Sequence, residues 1–218
     1  MSRTINMWRD PYNQGFSTCR LKTATFESGV TVLVGCNGSG KSTMLHNIQA
    51  ELENKKIPVF FYDNVEKNRL SLYESLSSGD VKLASMQMCS SEGENISLNL
   101  GQMVQKLKNF LKTGKNGKYY QKLKNVVGNE RWLLIDAIDS GYSIDNVMEL
   151  KEFFSMILND AKKMGLNLYI VVSSNEYELA YNSNCMDVTE GKYVRFNDYS
   201  QYKKFILHTR KKKDKRYK

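Results

Sequence analysis

The chain has 218 residues, 41% of them hydrophobic and 25% charged, and carries a net charge of +9. That is the size of one ordinary domain with a substantial core and the balance of a soluble globular protein. No apolar run approaches the ~20 residues that span a bilayer. The opening stretch MSRTINMWRDPYNQG lacks the apolar segment of a secretory signal, so a cytoplasmic protein without membrane contact is expected. Cys19, Cys36, Cys89 and Cys185 lie far apart with no CxxC pair, which argues against a zinc site and a disulfide framework.

In chain order, FSTCRLKTATFESGVTVLVG reads as two strands joined by a turn at Glu27-Ser28-Gly29. The second, Val30–Val34, is a continuous apolar run that suits a strand buried on both faces. A helix is expected from Lys41 to about Asn54, and a strand over Ile57–Asn64. After a serine-rich stretch, Ser97–Lys112 reads as a helix with Leu98, Met103, Leu107, Phe110 and Leu111 on one face. KTGKNGK ends it. Arg131–Asp136 reads as a strand ending in acid, and Ile144–Met164 as an amphipathic helix closed by Gly165. Leu166–Ser174 reads as a strand, and CMDVTEGKYVRF as a hairpin turning at Glu190-Gly191. The end reads as helical and then disordered, which divides the chain into a domain over 1–207 and a basic tail over 208–218. Alternating strands and helices predict an α/β fold with a parallel core.

Residues Gly35 to Ser42 fit G-x-x-x-x-G-K-[ST] in full, with a buried strand before them and a helix after them. Glycines let the backbone of Asn37, Gly38, Ser39, Gly40, Lys41, Ser42 and Thr43 wrap a phosphate with its N–H groups inward. The helix N-terminus adds partial positive charge. Lys41 suits the β- and γ-phosphates of ATP, and the Ser42 hydroxyl suits Mg²⁺. Asp136, after the apolar WLLI, is the expected carboxylate for that metal, acting through water.

The NGSGKST form of the loop, together with LLIDAIDSG, resembles the ABC/SMC/RecF-like class of P-loop ATPases. SSEGE, with Ser91, Gly93 and Glu94, resembles a divergent form of that class's signature motif. The resemblance covers roughly residues 16 to 188. It implies a P-loop NTPase fold of the ABC-ATPase-head kind: a parallel-core sheet flanked by helices, with an antiparallel N-terminal strand pair. It also implies a head-to-tail homodimer that sandwiches ATP·Mg²⁺ between the loop of one copy and Ser91, Gly93 and Glu94 of the other. Ser140-Gly141-Tyr142-Ser143 matches the loop that packs across such an interface. Only about fifty residues separate Ser42 from Ser90, too few for the long coiled-coil arms of some relatives.

Two positions depart from the pattern. The resemblance puts a catalytic glutamate directly after Asp136, where this chain has Ala137, and a histidine after the next strand, where it has Ser173-Ser174-Asn175. Neither of its two histidines, His46 and His208, falls there. Losing a water-positioning group costs a factor of ~10²–10⁴ in rate, so slow or partner-dependent hydrolysis is expected. Asp139 is the nearest acid able to orient water, and Asn175 can hydrogen-bond a γ-phosphate. Tyr12 and Phe16 fit either stacking on adenine or edge packing, packing being the better fit.

Seven lysines and no acid lie between Lys106 and Lys124, and Arg210–Lys218 holds seven basic residues and one acidic one. Both stretches suit non-specific contact with DNA phosphates, or simply a solvated face and a solubilising tail. The readings that remain are an ATPase head in a DNA repair, maintenance or defence assembly, an inactive ATP-dependent clamp read by a protein partner, and a transporter's nucleotide-binding subunit. A small nucleotide kinase would want an arginine cluster between the loop and Asp136, which is not there.

Overall fold

The computed structural model describes residues 1–7, 21–63, 104, 106–114, 128–138 and 143–215. Two sheets are present among them. Strands β1 (Ser2–Asn6) and β2 (Thr23–Glu27) form an antiparallel pair. The main sheet has six strands: β3 (Gly29–Val34), β4 (Val59–Asp63), β5 (Glu130–Asp136), β6 (Asn167–Ser173), β7 (Asn184–Asp187) and β8 (Lys192–Val194). Their order is β4-β5-β6-β3-β7-β8; the first five in that order run parallel, and β8 is antiparallel to β7. The α/β expectation with a parallel core therefore holds.

Side-chain alternation explains why the central strands read as unbroken apolar runs. On β3, Val32 and Val34 face one core while Leu33 faces the other. On β5, Leu133 and Ile135 oppose Trp132 and Leu134; on β6, Leu168, Ile170 and Val172 oppose Tyr169 and Val171. A sheet covered on both faces needs apolar residues at every position. Helix α1 (Lys41–Asn54) and the β1–β2 pair cover one face. Helices α2 (Ile144–Lys163), α3 (Tyr177–Ala180) and α4 (Tyr199–Asp214), with helical residues 106–113, cover the other. Trp132 ties the small sheet down: it stacks on Tyr169 at 4.3 Å and meets the edge of Phe26 from β2 at 5.8 Å.

The expected helix over 41–54 and the strands ending at Asp136 and near Ser173 stand where the sequence puts them. Gly165 follows α2 with φ of 70°, as a helix-terminating glycine does. The turn at Glu190-Gly191 joins β7 to β8, Gly191 N–H donating to Asp187 O at 2.8 Å. Leu107, Phe110 and Leu111 are buried, as the apolar face of their helix requires; Leu98 and Met103 lie outside the described residues.

Two expectations change. The strands before and after Glu27-Ser28-Gly29 do not pair with each other: β2 pairs with β1, and β3 enters the main sheet between β6 and β7. The chain changes sheets at that bend because both faces and both edges of β3 are needed by the parallel core. The segment from residue 208, expected as a disordered tail, is helical as far as Asp214. Asp198 caps α4 by accepting from Gln201 N–H at 2.8 Å, Tyr202 and Thr209 are buried against the core, and Lys211, Lys212 and Lys213 in the last turn oppose the helix dipole. Among the described residues no helix is long and apolar enough to cross a membrane.

Two buried acids of the core set a pH limit. Burial and the neighbouring Asp63 charge push the Tyr62 hydroxyl up to about 12, and burial pushes the Cys185 thiol up to about 12. Both keep their protons in the folded chain at pH values where the unfolded chain loses them. Stability is therefore full below about pH 9 and falls as pH rises toward 12. Urea unfolding at pH 8 and pH 11 is expected to show a lower midpoint at pH 11, and Tyr62→Phe is expected to reduce that difference.

Candidate functional site

The parallel strands all present their C-terminal ends at one rim, where open α/β sheets take their ligands. The loop from Gly35 to Gly40 leaves β3 at this rim and enters α1. A Cβ on Gly35 would come within 2.5 Å of Ser39 Oγ, so the loop closes this tightly only with glycine there. Gly40, at the N-cap of α1, has φ of 106°, a left-handed conformation that glycine adopts without strain. Asn37 and Gly38 are exposed at the apex, while Ser39 Oγ is buried without a hydrogen-bond partner.

Lys41 is 9% exposed, and its Nζ donates to Gly35 O at 2.9 Å, Cys36 O at 3.4 Å and Asn175 Oδ1 at 2.8 Å. A buried ammonium demands such acceptors. The third exists only because β6 lies beside β3, which carries Asn175, two residues beyond its end, to the loop. The strand order gives a second consequence. Because β6 stands between β3 and β5, Ser173 also reaches Asp136: its hydroxyl donates to Asp136 Oδ1 and accepts from Ala137 N–H at 2.9 Å. Asp136 is buried, and Asp63, at the end of β4, stands opposite it in register. Ala137 adopts a φ of 49°.

Helix α4 closes one side of this rim. Thr209 Oγ1 accepts from Cys36 N–H at 3.1 Å, Lys213 Nζ donates to Asn37 O at 3.0 Å, and the Tyr202 hydroxyl donates to Asn175 O at 2.7 Å. Lys212 pairs with Glu190 in the β7–β8 turn.

The structure thus brings together the loop residues 37–43, Asp136 and Asn175. Ser91, Gly93, Glu94 and Asp139, together with Tyr12, Phe16 and residues 140–142, lie outside the described residues. Residues the sequence reading did not single out are Asp63, Ser173, Thr209 and Lys213. Asp63 carried a signal, since FFYD repeats the pattern of LLID one strand earlier. His46 stacks on Phe61 at 4.9 Å, away from any catalytic arrangement, and His208 is exposed on α4.

The chain was compared with known proteins on this footing. No protein-family model and no curated protein sequence matches it. Among solved structures it is similar to one titled "Crystal structure of DNA replication initiation factor", at 12% identity and a TM-score of 0.34, over 82% of this chain and 37% of that one. The chain therefore spans about a third of that structure's length. A likeness this loose assigns neither family nor activity.

The residues at the rim fit a polyphosphate with a divalent cation. The glycine-built loop, the orphan Ser39 hydroxyl and the Lys41 ammonium suit the anion; the exposed Ser42 and the fixed Asp136 carboxylate suit Mg²⁺. Among the described residues no three His, Cys, Asp or Glu side chains gather into a metal cage. Mg²⁺ held by a hydroxyl, one or two carboxylates, waters and phosphate oxygens needs none.

The bond from Thr209 to the loop yields a prediction about α4. Thr209→Val preserves shape but leaves the buried Cys36 N–H without its acceptor, a loss of about 1–3 kcal/mol. Amide hydrogen exchange is expected to speed up across residues 199–214 and in the loop, and to change little in β5 and β6.

Proposed function

We propose that this protein binds ATP·Mg²⁺ at the rim of its parallel sheet, in a P-loop NTPase fold, and turns it over slowly or only with a partner. The observation that carries this reading is Lys41: its ammonium lies at the base of a complete G-x-x-x-x-G-K-S loop, gathered by Gly35 O, Cys36 O and Asn175 Oδ1. Backbone N–H groups of residues 37–43 and the start of α1 suit the phosphates. Lys41 would hold the β- and γ-phosphates, while Ser42 and Asp136 would hold the metal, which neutralises charge developing on the phosphates.

Slow turnover follows from the residues around Asp136. The next position offers only the Ala137 methyl group, and a methyl group cannot orient water. Ser173 is committed to Asp136 and to Ala137 N–H. Asn175, whose Oδ1 accepts from Lys41 Nζ at 2.8 Å, is the group proposed to hydrogen-bond the terminal phosphate. Asp139 remains the proposed acid for water, as the sequence reading has it. The finer reading, an ABC/SMC-like head that dimerises head-to-tail around ATP through Ser91, Gly93 and Glu94, rests on NGSGKST, SSEGE and LLIDAIDSG alone.

An ATP-locked clamp read by a protein partner is the second reading, favoured by Ala137. DNA contact is a further proposal: Lys106, Lys108 and Lys112 are exposed on the helix whose Leu107, Phe110 and Leu111 are buried, an arrangement that suits phosphate contact as well as a solvated face.

Sizing the protein with and without ATP·Mg²⁺, alongside phosphate release, tests the reading. ATP is expected to bind and shift the chain toward a dimer, with little phosphate released. Lys41→Ala is expected to weaken ATP binding by about 100-fold or more, the scale of removing a buried charged hydrogen-bonding partner. Undiminished binding by that variant refutes the site. Steady phosphate release by the parent chain alone refutes the clamp.

A further inference from the structure

A cavity of about 470 Å³ lies beside the loop, between Cys36, Asn37 and Asn175 on one side and α4 on the other. The α4 wall supplies three cations, Lys203, Arg210 and Lys213, seven and three residues apart, which places them along one stripe of the helix. Tyr199 and Tyr202 line its far end.

Three bonds fix this wall, two to the loop and one to Asn175. Thr209 holds Cys36 N–H, Tyr202 holds Asn175 O, and Lys213 reaches Asn37 O at 3.0 Å, with its Nζ 3.4 Å from where a Cβ on Gly38 would stand. The cavity also has a direction relative to the phosphates. It shares Asn175 with Lys41, and Asn175 lies on the β6 side, between the loop and Asp136. On the reading above, with Lys41 and a metal held by Asp136 engaging the terminal phosphate, that phosphate would lie on this side. The C-terminal end of a helix presents partial negative charge and repels an anion unless cations offset it. The last turn of α4 holds Lys211, Lys212 and Lys213, and Arg210 precedes them.

We propose that Lys213 and Arg210 are ligands of the nucleotide's terminal phosphate, supplied within the same chain by α4. The proposal rests on the nucleotide-binding reading above. Lys213 exchanges a neutral acceptor, the Asn37 carbonyl, for a charged phosphate oxygen, and charge-assisted bonds are roughly twice as strong as neutral ones. Arg210, exposed at the cavity wall, supplies a planar donor set that matches a phosphate bidentately. A diphosphate ends short of both. Helix α4 therefore distinguishes ATP from ADP.

The test measures ATP·Mg²⁺ and ADP·Mg²⁺ dissociation constants by calorimetry for the full chain and for Lys213→Ala, Arg210→Ala and the double variant. Lys204→Ala serves as a control for charge on α4 outside the cavity, and thermal melting checks that each variant is folded. The double variant is expected to weaken ATP at least tenfold and ADP less than twofold, with Lys204→Ala near the parent for both. Equal losses for ATP and ADP, or no loss for either, overturn the proposal while leaving the nucleotide site standing. A Lys41→Ala chain that binds both nucleotides like the parent, or a parent that binds neither, overturns the site and the proposal together.

Discussion

Everything at the rim depends on one buried ammonium. Lys41 leaves the first turn of α1 and turns back beneath its own loop, where a lone positive charge would be costly. Three oxygens make it tolerable, two from the loop backbone and one from Asn175. The last of these is a long-range contact, 134 residues away in sequence. It requires β6 to pair with β3, and that pairing requires the continuous apolar faces that let both strands lie in the middle of a covered sheet. The geometry of the loop and the hydrophobic core are in this sense one unit.

The same strand arrangement organises the acidic side. Once β6 stands between β3 and β5, its end residues face both neighbours. Ser173 fixes Asp136, and Asn175 engages Lys41, so the three positions 173–175 at the end of β6 connect the glycine-built loop to the Asp136 carboxylate. Any ligand that draws Lys41 away from Asn175 acts on the segment that also carries Ser173. The left-handed Ala137 next to Asp136 is a backbone cost that a neighbouring hydrogen bond helps to hold, its N–H donating to Ser173 Oγ.

Helix α4 changes the character of the basic C-terminal residues. As a string of lysines they suggest a solvated tail. As a helix with Tyr202 and Thr209 on its inner face, residues 199–214 become a wall of the site, and one of the charges, Lys213, stands against the loop. Glu190 in the β7–β8 turn and Asn37 at the loop apex hold two successive lysines, Lys212 and Lys213, from different sides.

The sequence by itself determined the pieces whose signal is local. The glycine spacing from Gly35 to Gly40, the strand before it, the helix after it and the acid ending WLLID are written in runs of a few residues, because loop conformation and strand burial depend on neighbours along the chain. Ala137 and Asn175 were legible as departures from a pattern for the same reason. The tertiary structure alone decided the pairings. That β2 joins β1 rather than β3, that Ser173 is the partner of Asp136, that Asp63 stands beside it, and that Thr209 and Lys213 close on the loop are contacts between segments distant in sequence. Such contacts are set by which apolar faces must be covered and which buried polar groups must be satisfied, and the local pattern that marks a face does not say which distant segment covers it.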